Sequence, residues 1–213
     1  MGSIFNMDNG LMSALSKIFD IFMISIIWFI CCIPVVTAGA ATTALYYAVV
    51  KVIRRERGYL IKEYFRSFKL NFKNATFVWI IILVLSVLFY FNIYFVKETM
   101  DGTVGFVLMC VYRTFLFVIL SVTVFLFPNL SRFAMDKIQL IKVSFLMSIK
   151  HLPITILVDL IIIAAALVIW FIPLSFVFIP GLTCLLSSFL LEKVLKKYIP
   201  ESEDSEKDQW YLE

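Results

Sequence analysis

The sequence predicts an all-α integral membrane protein, a polytopic helical bundle of about six transmembrane helices with both termini cytoplasmic. Three observations predict it. The first is composition: of 213 residues, 62% are hydrophobic and only 16% charged, with 22 phenylalanines. Soluble domains run near half apolar and about a quarter charged, so this chain has too little polar surface to cover itself in water. The second is the grouping of apolar residues into long blocks almost free of charge. The third is the gathering of Lys and Arg into connectors that fall on one side.

Crossing the hydrocarbon layer takes about 20 apolar helical residues. Residues 21–50, 75–96 and 160–191 carry no charge, and 103–131 is interrupted only by Arg113. The first and last blocks exceed one span and are broken by turn chemistry, Pro34 to Gly39 in one and Pro173 with Pro180-Gly181 in the other. Proline removes a backbone donor and ends or bends a helix. Each block therefore reads as a tight helical hairpin. Six spans result, near 14–34, 38–54, 75–97, 104–131, 153–172 and 175–194. Five or four spans follow instead if a hairpin is re-entrant or tilted. Asp20 inside the first run, and no small-residue cleavage site, argue against a cleaved signal peptide.

Orientation follows from the basic residues in short loops. With six spans, connectors 51–73 and 132–151, the segment at Lys17 and the tail from Lys193 share one side, while Lys97 and Arg113 fall on the other. Sixteen or more of the nineteen Lys and Arg are then cytoplasmic. Residues 1–197 form a single polytopic domain, and 198–213 form an acidic, disordered tail. Nucleic-acid binding needs a basic face on a water-soluble scaffold, which the apolar blocks exclude. The small residues from Ala38 to Ala44 predict close helix packing.

Residues 51–73 hold eight of the nineteen basic residues against two acids. Arg54, Arg55 and Arg57 form a charged turn. Beyond it, Ile61, Phe65, Phe68 and Phe72 recur at i, i+4, i+7 and i+11, one stripe of a helix. Lys62, Arg66, Lys69 and Lys73 form an adjoining basic stripe. That layout predicts an amphipathic connector near 57–73 lying in the membrane interface, its cations on anionic headgroups of the cytoplasmic leaflet. The same surface also suits a cytoplasmic partner. A weaker connector is expected near 136–151, with Ile138, Ile141, Phe145 and Ile149 as its stripe. Ser67-Phe68 and Lys73 echo Ser144-Phe145 and Lys150 at equal offsets. The echo is either a 3+3 parallel repeat or a chance similarity in Phe- and Lys-rich segments.

Ionisable groups inside spans are functional candidates by default. Asp159 is the clearest, and Arg113 lies near the outer edge, able to snorkel. Their depths differ by about 15 Å by helix rise, so they are not expected to pair. Cys31, Cys32, Cys110 and Cys184 have no metal-ligand spacing, and His151 has no catalytic companions. Neither cofactor, metal nor catalytic residue is expected, and the chain is read as a non-enzyme.

Leu15-Ser-Lys-Ile-Phe-Asp20, Cys31-Cys-Ile-Pro-Val-Val-Thr-Ala-Gly39, Thr43-Ala-Leu-Tyr-Tyr47, Gly58-Tyr59 and Ser67-Phe-Lys-Leu-Asn-Phe-Lys73 together resemble the YesL-like family of small bacterial membrane proteins. Phe127-Pro-Asn-Leu-Ser-Arg-Phe133 and Lys150-His-Leu-Pro153 resemble its second half. The resemblance implies a multi-pass protein of the bacterial cytoplasmic membrane. It transfers no catalytic or binding residue. Its members are commonly encoded among carbohydrate-uptake genes of Gram-positive bacteria, which implies an accessory or regulatory subunit beside a carbohydrate ABC importer. A small stand-alone transporter or channel using Asp159, and a lipid-interacting scaffold, are the alternatives. A homo-oligomer is compatible with each.

Overall fold

The computed structural model describes residues 10–133 and 135–198, and its regular elements are all helical. They are α1 (Gly10–Cys32), a 3-10 turn (Val35–Thr37), α2 (Ala38–Ala48) continued by a π turn (Val49–Arg54), α3 (Leu60–Thr99), α4 (Gly102–Arg132), α5 (Lys137–Lys150), α6 (Leu152–Phe171), a 3-10 turn (Pro173–Val177) and α7 (Ile179–Leu195) continued by a 3-10 turn (Lys196–Tyr198). The tail expected over 198–213 lies, past Tyr198, outside the described residues.

Five stretches are long and apolar enough to cross a membrane: Ala14–Cys32, Val35–Arg54, Leu60–Thr99, Gly102–Arg132 and Leu152–Phe171. The expected sixth, 175–194, is instead a 3-10 turn followed by the 17-residue α7. Its prolines explain the shortening. Pro173 opens the turn, and Pro180 sits in the first helical turn, where its missing N–H costs nothing. The Gly181 N–H donates to Ser25 Oγ at 2.9 Å, so α7 begins beside the middle of α1. Phe29 against Phe176 and Phe22 against Phe178 seat the turn on α1, with ring centroids 4.4 and 6.0 Å apart.

The second stretch is the centre of the bundle. Its apolar window is 72% buried, against 6–17% for the other four. Small residues make this burial feasible: Ala40, Ala41, Ala44 and Ala48 are wholly enclosed. At Gly39 an added Cβ would lie 2.5 Å from Trp79 Cβ, so only glycine admits α3 this closely. The expected packing role of the small-residue row is what the helices use it for.

The largest departure from expectation is α3. An interfacial helix near 57–73 and a separate span at 75–97 are one continuous helix of 40 residues, about 60 Å long at 1.5 Å per residue. No Gly or Pro lies between Leu60 and Thr99 to break it. The break falls earlier, where Glu56 and Gly58 take positive φ of 56° and 81° in the α2–α3 turn. Gly58 suffers no Cβ penalty there. The second connector is a separate helix, α5, close to its expected bounds.

α2 lies beside the first half of α3, from Gly39 near Trp79 to Lys51 near Glu63. Residues 80–99 then run on with 102–120 as a hairpin in which only Val96 and Gly105 are buried. Phe89 stacks on Phe115 there at 5.1 Å.

Candidate functional site

The first half of α3 has two sides. Leu60, Glu63, Tyr64 and Ser67, at i, i+3, i+4 and i+7, are buried against the bundle. The other side is exposed and carries both rows expected from sequence: Lys62, Arg66, Lys69 and Lys73 beside Phe65 and Phe72. Phe65 and Phe72 are 40% and 38% exposed. Phe68 alone of the aromatic row turns half inward. It packs between Tyr64 and Phe72, with ring centroids at 6.3 and 5.5 Å. A groove of about 440 Å³ runs along this side, lined by Phe68, Lys69, Leu70, Phe72, Lys73 and Asn74.

The charged turn divides. Arg57 is exposed and Arg55 half-buried. Arg54, expected on the same outward surface, is half-buried and turns toward α7: its Nη1 donates to the Ser188 carbonyl at 2.8 Å, and its guanidinium lies 4.4 Å from the Phe189 ring. The wider π turn at the end of α2 alters the rotational phase there. Lys51 consequently faces α3 and Arg54 faces α7.

Inside the bundle lie buried ionic contacts that counting Lys and Arg by connector did not anticipate. Lys51 Nζ is 3.0 Å from Glu63 Oε2, with the side chains 5% and 10% exposed. Lys51 also donates to the Tyr47 hydroxyl at 3.1 Å. Arg132 Nη1 is 3.2 Å from Glu192 Oε2, both side chains 4% exposed, and the Tyr46 hydroxyl donates to Glu192 Oε1 at 2.9 Å. α2 is thereby pinned to α3 at one point and, through Glu192, to α7 and α4 at another. A sequence signal existed: Glu63 is an acid within a basic run, and Glu192 ends the last charge-free block.

The intramembrane candidates are separate, as expected. Asp159 is 1% exposed and accepts a hydrogen bond from Ser121 Oγ of α4 at 2.7 Å. Its other oxygen has no partner among the described residues. Arg113 is exposed and lies eight residues before Ser121, about 12 Å along α4. The two do not meet.

Between α2, α4, α6 and α7 is an apolar cavity of about 340 Å³, whose lining includes Trp28, Thr42, Tyr46, Phe127, Ile162 and Ser187 but not Asp159. Trp28 Nε1 donates to Thr42 Oγ1 across its rim at 3.2 Å. The rest of the lining is mostly apolar, its hydroxyls being those of Thr42, Tyr46, Thr123, Thr183 and Ser187. The cysteines are free thiols, and no group of three or more metal-ligating side chains occurs among the described residues. His151 Nε2 is 3.0 Å from the Tyr198 hydroxyl; burial, then Lys197 and Lys150, hold its imidazole below the ordinary range.

A family described as a protein of unknown function, DUF624, the family of the YesL-like proteins, matches residues 21–93. That match covers α1 from Ile21, all of α2, and α3 as far as Ile93, including the outward face and the Lys51–Glu63 pair. No curated protein and no solved structure matches the chain.

Proposed function

We propose that this chain is a non-catalytic accessory membrane subunit that engages its partner through the outward face of α3. The carrying observation is the paired basic and aromatic rows, Lys62, Arg66, Lys69 and Lys73 beside Phe65 and Phe72, exposed on a helix whose other side is fixed to the bundle. A rigid helix presents such rows without an ordering cost at the moment of contact. Steering by the cations and burial of the aromatics then act together. The bacterial carbohydrate ABC importer is the assembly favoured by the YesL-like resemblance, with the cytoplasmic surface of its permease or ATPase as the contact.

In this reading the chain crosses the membrane six times, the α7 segment with its preceding turn making the last crossing, and both ends are cytoplasmic. The excess of Lys and Arg at the α2–α3 turn, in α5 and after α7 supports that orientation.

The test is recovery of tagged protein at native expression after mild crosslinking, with bound proteins identified by mass spectrometry. Importer subunits are expected with the wild type and should be lost with Lys62→Glu/Lys69→Glu/Lys73→Glu at equal membrane abundance. Recovery of no permease, ATPase or sugar-binding protein with the wild type would overturn the assignment.

A further inference from the structure

A second charged feature lies apart from the α3 face. Between α1, the π turn and α7 is a surface pocket of about 380 Å³, lined by Lys17, Ile53, Arg54, Arg55, Leu185, Phe189 and Lys196. Three segments remote in sequence thus bring four cations to one concavity. No acidic side chain lines it among the described residues. Glu56, the neighbouring acid, binds Lys17 from outside the lining at 2.6 Å.

Collecting like charges costs Coulomb energy that a bound anion recovers. A solvated fringe of snorkelling cations would keep its members apart and mobile. Here Arg54 is held in one place, bonded to the Ser188 carbonyl and stacked on Phe189. A guanidinium fixed beforehand loses little freedom when a ligand arrives. With Nη1 taken by Ser188, its remaining N–H groups suit phosphate oxygens. Beside the cations, Ile53, Leu185 and Phe189 form an apolar wall, which suits an amphiphile better than a bare ion.

We propose that this pocket binds the phosphate of an anionic phospholipid, the cations taking the headgroup and the apolar wall taking the first methylenes of the chain. The site is independent of partner docking on α3, so either assignment can fail alone.

Purified full-length protein in neutral detergent, titrated with phosphatidylglycerol, phosphatidylcholine or inorganic phosphate and read by native mass spectrometry, tests it. One phosphatidylglycerol per chain is expected to bind saturably and in preference to phosphatidylcholine. Arg55→Gln/Lys196→Gln should weaken that binding by roughly tenfold or more, and Lys97→Gln, exposed at the far end of α3, should leave it unchanged. Inorganic phosphate bound as tightly as the lipid would support the anion site and assign it to a soluble ligand. Equal binding of phosphatidylcholine and phosphatidylglycerol to the wild type, a comparison that needs no variant, would overturn the proposal. So would unchanged phosphatidylglycerol binding in a folded Arg55→Gln/Lys196→Gln protein.

Discussion

Glu192 is where the buried polar contacts of three helices converge, taking the Tyr46 hydroxyl on one oxygen and the Arg132 guanidinium on the other. Losing one member of a buried pair strands the other charge, at about 3–5 kcal/mol. Glu192→Gln should therefore lower the melting temperature of the detergent-solubilised protein sharply. Glu192→Leu/Arg132→Met, which removes both charges, should recover much of the loss. Equal melting of Glu192→Gln and wild type would show that the pair carries no such load. Little of this was legible beforehand. Lys51, Arg54 and Arg132 look alike in a charge count; the turn of the backbone between Val49 and Arg54 brings Lys51 to an acid and Arg54 to a carbonyl, while the packing of α4 and α7 brings Arg132 to Glu192.

At the scale of the element, α3 couples its outward basic face mechanically to the apolar hairpin beyond it, because no joint separates them. Asn74→Pro places a proline at the boundary where two separate helices were expected. Inside a continuous helix it removes a hydrogen bond and clashes with the preceding turn, costing about 3 kcal/mol or more. A drop in melting temperature with new protease sensitivity near residue 74 is expected, and wild-type behaviour would mean that a hinge already exists there. The helical rows were legible from their spacing, as was the small-residue packing of α2. The joint was misplaced because a change from charged to apolar residues resembles a boundary, whereas only turn chemistry makes one. The shortness of α7 was half legible: its prolines announced a break, but the depth at which Ser25 receives Gly181 depends on tertiary contact.

For the whole molecule, α1 and α3 do not share one hydrophobic level. α1 rises past residues 60–79 of α3, from Lys17 paired with Glu56 to Val35, just beyond its end, beside Trp79, and it exposes Ile18, Phe19, Phe29 and Ile30 over the stretch where α3 exposes Lys62, Arg66, Lys69 and Lys73. At one height, therefore, one flank of the bundle is apolar and another is cationic. The apolar run of α3 begins at Ala75 and continues far past the end of α2. The boundary between oil-facing and water-facing surface is therefore expected to be oblique rather than level. A bilayer meeting an oblique boundary must dip on the α3 side, thinning one leaflet beneath the cationic row, or the bundle must lean. The protein is thereby expected to act on the sheet that holds it, as a wedge in local thickness. In vesicles of rising acyl-chain length at constant headgroup charge, its thermal stability should fall progressively as the dip deepens. Stability unaffected by chain length would mean that the boundary is level.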